Sequence, residues 1–191
     1  VIGGIGLLEN ASNHITIDLK GADETIVSIG MLTGWLGQSL YLRELFGQET
    51  GAPPPINLDE EKLNGDFILR MIEGKYVTAC HDISDGGLLV AITEMAFSAL
   101  VKGKKLGVEI INTAELDPFA FYFGEEQARY IVTTVNPEKL LEMAQKAGVV
   151  ANIIGKTTSN GQLILPDNCS VALEELYIAY DNWLPEYMLG A

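Results

Sequence analysis

Tyr76-Val77-Thr78-Ala79-Cys80-His81-Asp82-Ile83-Ser84-Asp85-Gly86-Gly87-Leu88 runs from an apolar stretch, through a turn of acids, a hydroxyl and paired glycines, into a segment of helical period. The order predicts a strand, a tight loop and a helix N-terminus in direct succession. Amide hydrogens at such a junction carry partial positive charge and suit an oxyanion. Glycine lets the chain turn sharply and lets a ligand come close. The segment therefore points to an anionic ligand, with His81, Asp82, Ser84, Asp85, Gly86 and Gly87 as candidate contacts. Two carboxylates beside an anion cradle repel what the cradle attracts. A magnesium ion on Asp82 and Asp85, or a substrate amine or hydroxyl, would resolve that conflict. The same residues also make a plain helix start, since Ser and Asp are common N-caps and glycine suits turns. His81 equally suits a strand-end imidazole bonded to a backbone carbonyl. Cys80 and His81 are neighbours on a strand, so they point to opposite faces and do not form a nucleophile pair.

Working outward, residues 88–99 place Leu88, Ala91, Ile92, Met95 and Ala99 at helical spacing. Upstream, Asn57 with Glu60 three residues later resembles a capping arrangement for a helix over 58–73, ended by Gly74, with Leu63, Phe67 and Met71 on its buried face. Asn136-Pro137 is a cap followed by proline at the first helical position, for a helix that stops at Gly148. Strands are expected at 15–19, 25–29, 77–81, 105–111, 129–134, 149–154 and 162–165, and further helices at 38–46 and from 171 to about 180. Strands and helices alternate irregularly, which predicts an α+β fold with helices packed on a mixed sheet. Residues 1–12 read as the exit segment of an upstream domain, and residues 13–191 as the domain itself.

The bulk properties narrow the function. The chain has 191 residues, 48% of them hydrophobic, and a net charge of −14. That charge opposes nucleic acid and anionic membrane surfaces. No apolar run approaches the ~20 residues that span a bilayer. Two cysteines, Cys80 and Cys169, fit a reduced, cytoplasmic protein. The first residue is not Met, and the chain reads as a piece of something longer.

Two further stretches carry polar groups. Gly34-Trp35-Leu36-Gly37-Gln38-Ser39 is a second glycine-rich entry to a helix, without the lysine or spacing of a Walker A loop. Phe123-Gly124-Glu125-Glu126-Gln127-Ala128-Arg129-Tyr130 sets acids and an arginine before a strand, and Glu125 or Glu126 would pair with Arg129. Gly37, Gln38, Ser39, Glu125 and Arg129 are thus secondary candidates. The two histidines support no Ser-His-Asp order, and no Cys/His metal spacing occurs.

Taken together, His81 to Leu88, residues 37–41, Gly51-Ala52-Pro53-Pro54-Pro55 and the 123–130 element resemble the C-terminal domain of the aminoimidazole ribonucleotide (AIR) synthetase superfamily, as found at the end of phosphoribosylformylglycinamidine synthases. Residues 1–8, Leu173-Glu174-Glu175-Leu176 and Trp183-Leu184-Pro185 also fit. Ala128 stands where that pattern often has glycine. The resemblance implies a three-layer α/β/α fold, partly ferredoxin-like. It implies an ATP-dependent C–N ligase of purine biosynthesis. Such an enzyme converts formylglycinamide ribonucleotide, ammonia from glutamine and ATP to the amidine, ADP and phosphate. ATP and Mg2+ would be bound mainly by upstream ATP-binding domains, a glutaminase subunit or domain would supply ammonia, and this piece alone would be inactive. The loop from His81 to Gly87 would then hold the ribonucleotide or a nucleotide-like ligand. Alternatives are the equivalent domain of aminoimidazole ribonucleotide synthetase, selenide-water dikinase or a hydrogenase maturation protein, or a non-catalytic docking module.

Overall fold

The structure, a computed structural model, describes residues 3–111, 115–166 and 169–190. Val1 and Ile2, at the start of the expected exit segment, lie outside them. Seven strands form one sheet: β1 (Thr25–Ile29), β2 (Ala79–Asp82), β3 (Gly107–Ile110), β4 (Tyr130–Thr134), β5 (Ala151–Thr158), β6 (Gln162–Leu165) and β7 (Cys169–Ala172). Their order is β2-β4-β1-β5-β3-β6-β7. The sheet is mixed: β3 and β6 pair in parallel, and the other pairs are antiparallel.

Among the described residues six α-helices accompany the sheet: α1 (Leu40–Phe46), α2 (Leu58–Glu73), α3 (Gly87–Val101), α4 (Pro118–Phe123), α5 (Pro137–Ala147) and α6 (Leu173–Leu189). Helix α2 joins β1 to β2 with β4 between those strands, and α5 joins β4 to β5 with β1 between them. These interleaved split βαβ units are the ferredoxin-like core. Phe67, Ile68 and Met71 of α2 and Leu140 and Ala144 of α5 pack with Val27, Ile29 and Val132 on one face of the sheet. Leu88, Ile92 and Met95 of α3, Phe121 of α4 and Leu173 of α6 pack with Ile26, Ile131 and Ile154 on the other. Successive residues of β1 and β4 thus feed opposite cores, as a period of two requires. The result is the expected α+β, three-layer α/β/α arrangement. Both faces of β1 are covered, which is why Ile26, Val27 and Ile29 are all apolar and buried although they point to different faces.

Local signals set several bounds. The Asn57 carboxamide accepts from the amides of Asp59 and Glu60, both at 3.2 Å, and α2 ends before Gly74. Asn136 accepts from Lys139 N at 3.2 Å, Pro137 opens α5, and Gly148 closes it in the left-handed conformation. Leu63, expected inside, is exposed; Asn64 takes the inward place because its carboxamide donates to Ala128 O at 2.9 Å.

Two regions differ from expectation. Residues 15–19 form no strand. Leu19 N donates instead to Met95 O of α3 at 3.3 Å, and the buried Asp18 carboxylate is held by Lys20 and Lys102 at 2.8 and 2.7 Å. In the expected exit segment, Ile5, Leu7 and Leu8 are exposed. At the other end, β7 precedes α6, which runs on to Leu189 with Pro185 inside it. No helix among the described residues is long and apolar enough to cross a membrane.

Candidate functional site

Strand β2 lies at the sheet edge and delivers the loop from Asp82 to Gly86 onto α3. Ile83 N donates to Arg129 O at 2.9 Å, which carries the chain past β4 before it turns. Gly86 and Gly87 both adopt positive φ, +81° and +72°. A Cβ on Gly87 would stand 2.8 Å from Gly124 O and from the Phe123 backbone. Glycine is required here by packing against the turn after α4.

The amides expected to cradle an anion are engaged within the chain. Gly86 N donates to Glu125 Oε1 at 2.8 Å, and Gly87 N donates to Ser84 O at 3.0 Å. This corrects the expectation that the glycine pair offers free donors. The second glycine stretch is equally committed. Gln38 N donates to Thr50 O at 3.0 Å, Ser39 Oγ caps α1 through Leu42 N at 3.3 Å, and Leu40 N donates to Glu125 Oε1 at 2.8 Å. A Cβ on Gly37 would lie 2.4 Å from Ala52 O. Gly37, Gln38 and Ser39 therefore build a turn rather than a phosphate cradle.

Both acids of the 123–130 element act as internal anions. Glu125 ties the N-terminus of α1 to the glycine pair, as above. Glu126 Oε1 accepts from the amides of Thr33 at 2.7 Å, Trp35 at 3.1 Å and Gly34, and its Oε2 meets Arg129 Nη1 at 2.5 Å. Burial alone raises the Glu126 carboxyl; the Arg129 guanidinium and the loop amides outweigh it and hold the group below its ordinary range. Burial lowers Arg129, and Glu126 offsets part of that. The arginine, expected to pair with one of the two acids, pairs with Glu126. Its Nε and Nη2 have no hydrogen-bond partner among the described residues. Ala128 holds φ +57°, a left-handed conformation that costs an L-residue about 1–2 kcal/mol and explains glycine at this place.

Side chains, rather than amides, face outward. Asp82, Ser84 and Asp85 are exposed and His81 is half-buried. Asp82 and Ser84 line a 240 Å³ cavity with Glu61, Gln127 and Tyr130, and Glu61 Oε1 accepts from Ala128 N at 2.9 Å. Burial, with Glu61 adding, pushes the Tyr130 phenol up. Glu61 gave no sign of its place in the sequence, because it reaches the loop from α2; Gln127 and Tyr130 lay in the 123–130 element and could have been found there. On the other face of β2, His81 Nε2 stands 3.2 Å from Glu94 Oε2 of α3, and its Nδ1 3.1 Å from Asp82 Oδ1. Cys80 packs toward the α2 and α5 layer, opposite His81 as expected. Burial, with Asp82 adding, pushes its thiol up to about 12, so it is no nucleophile.

No group of three or more His, Cys, Asp or Glu side chains able to hold a metal forms among the described residues. Asp82 and Asp85, the carboxylates expected to hold magnesium, are both exposed, and Glu61 shares the cavity beside Asp82.

Comparison with known proteins agrees with this framework. The family described as AIR synthase related protein, C-terminal domain, matches residues 22–168. The chain belongs to this family. As an AIR synthase related C-terminal domain it is 42% identical, over 100% of its length, to phosphoribosylformylglycinamidine synthase subunit PurL of Methylocella silvestris. It is 44% identical over 99% of its length to the subunit of that name from Rhodopseudomonas palustris. It spans 25% of the length of each. Among solved structures, T. maritima PurL complexed with FGAR covers 87% of this domain and 30% of its own chain, with a TM-score of 0.69 at 20% identity. That likeness is one of fold.

Proposed function

We propose that this chain is the C-terminal domain of an ATP-dependent phosphoribosylformylglycinamidine synthase, making formylglycinamidine ribonucleotide, ADP and phosphate from formylglycinamide ribonucleotide, ammonia and ATP. The identity of more than 40% along the whole chain to subunits of that name carries the reading. ATP and magnesium are held mainly by domains of the longer polypeptide, a glutaminase supplies the ammonia, and the site of action is cytoplasmic. Residues 1–12 leave the preceding domain, and 13–191 fold as the unit described.

The geometry refines what the His81–Gly87 loop does in such an enzyme. Glu125 and Glu126 neutralise the amide dipoles of both glycine turns from inside. What remains outside is Asp82, Ser84 and Asp85, together with Gln127 and Tyr130. These are acceptors and mixed donors, which suit ribose hydroxyls or an amide better than a bare phosphate. Asp82 and Ser84 thus orient substrate, and His81, held by Glu94, positions the end of β2. No step is assigned to a metal on this domain.

A chimaera tests the reading. This chain replaces the last quarter of the Methylocella silvestris relative, and amidine formation is followed by ADP release. Activity that falls at least tenfold with Asp82→Ala plus Ser84→Ala is expected. A folded chimaera without activity, beside an active parent, contradicts it. The isolated chain is expected to show no turnover.

A further inference from the structure

The cleft between α3 and α6 carries aromatic side chains and an acid, Asp181, that the ligase reading does not use. It encloses 490 Å³ and is lined by Phe97, Tyr177 and Tyr180, by the carboxylates of Glu94 and Asp181, and, where it meets the end of β2, by His81 and Ser84. Phe97 meets Tyr177 with ring centroids 5.3 Å apart at 71° and Tyr180 at 5.5 Å and 41°. These rings meet edge-on or tilted, and Tyr180 is the exposed one of the three. No lysine or arginine lines the cleft; the nearby Lys102 is drawn to Asp18 at 2.7 Å. One oxygen of Glu94 stands 3.2 Å from His81, and the other has no hydrogen-bond partner among the described residues.

Aromatic faces with flanking carboxylates and no resident cation are the setting in which an organic cation binds. A second cavity of 340 Å³ shares Glu94, Phe97 and Tyr180 and is otherwise walled mainly by aliphatic and aromatic residues such as Leu89, Leu163 and Val171. It offers an apolar slot beside a cationic subsite, the shape of need of an alkylammonium or guanidinium with its methylene stem. We infer that this cleft is a binding site for an amphipathic organic cation, the head among Phe97, Tyr177, Tyr180 and Asp181 and the stem in the apolar slot. The chain's charge of −14 adds long-range attraction for such a ligand. An anion would meet two carboxylates here. The cleft shares His81, Ser84 and Glu94 with the loop described above, but its aromatic and Asp181 contacts do not need the ligase reading.

Two sources share this chemistry: a free polyamine, or an arginine side chain of a docked protein. The test is a titration of the isotope-labelled 191-residue chain, followed by NMR. The probes are spermidine, N-acetyl-arginine methylamide and the uncharged isostere N-acetyl-citrulline methylamide. Expected are saturable shifts at Ser98, Tyr177 and Asp181 with a cationic probe, dissociation constants on the order of millimolar, and none with citrulline. Tighter spermidine binding names a free polyamine, and tighter arginine binding names a protein side chain. Tyr180→Leu and Asp181→Asn, both at exposed positions, are each expected to weaken binding about three- to tenfold. Equal shifts with citrulline, no saturable shifts in the cleft, or binding untouched by both substitutions would overturn the inference.

Discussion

Glu125 holds Gly86. Its Oε1 accepts the Gly86 amide hydrogen at 2.8 Å and, on the same oxygen, the Leu40 amide hydrogen at 2.8 Å. One carboxylate thereby links two glycine turns that are distant in the chain. Glu125→Ala leaves both amides without an acceptor, and an orphaned donor costs about 1–3 kcal/mol. A loss of roughly 2–4 kcal/mol in urea unfolding is expected, with Glu125→Gln losing less. Hydrogen exchange at Gly86 should quicken in both variants; unchanged exchange in Glu125→Ala would count against the contact.

The Glu126–Arg129 pair makes an ordered prediction. Arg129→Met removes one partner but leaves Glu126 its loop amides. Glu126→Ala strands a buried guanidinium and frees the turn at 33–35. Breaking a buried pair costs about 3–5 kcal/mol. Denaturant midpoints should therefore fall in the order wild type, Arg129→Met, Glu126→Ala. The reverse order would show that the amides contribute little.

Acid should destabilise the fold through two carboxylates. Burial alone raises Asp18, but the ammonium groups of Lys102 and Lys20 and the Thr16 hydroxyl outweigh it and hold the group far below its ordinary value. Glu126 is lowered in the same sense. A group depressed in the folded state contributes stability that is present above its unfolded value, about 4, and lost as pH falls through the folded one. Unfolding midpoints should be flat from pH 7 to about 5 and fall below about 4. Asp18→Asn should shallow that fall; an unaltered slope would remove Asp18 from the account.

Gly87 and Gly103 separate packing from backbone conformation. Both have positive φ, but a Cβ on Gly103 meets nothing within 4 Å, whereas one on Gly87 meets the 123–124 backbone at 2.8 Å. Gly103→Ala is expected to cost about 1 kcal/mol. Gly87→Ala should cost at least about 3 kcal/mol, because rigid backbone must move. Equal losses in thermal or urea unfolding would deny the close approach.

Much of the scaffold was legible because its signals are local. Asn57 and Gly74, and Asn136-Pro137 and Gly148, announce helix ends within a few residues of themselves. Asp117-Pro118 carries the same kind of signal for α4, where the Asp117 carboxylate accepts from Phe119 N at 2.9 Å. The strand at 15–19 misled because its alternation is real, yet Asp18 turns inward to Lys20 and Lys102, a contact no local pattern contains. The last helix, expected to end near residue 180, runs on to Leu189 with Pro185 inside it. In the loop, composition shows the donors and not their acceptors. Glu125 lies 39 residues from Gly86, so only the fold reveals that the glycine amides are taken.

Glu125 and Ser84 grip those amides. The direct measurement is an NMR titration of the labelled chain with inorganic phosphate, read at the Gly86, Gly87 and Leu40 amides together with their exchange rates. Slow exchange and shifts that ignore phosphate are predicted, since Glu125 and Ser84 already accept these hydrogens. Saturable phosphate shifts at Gly86 and Gly87 would contradict it and return the ligand to the backbone.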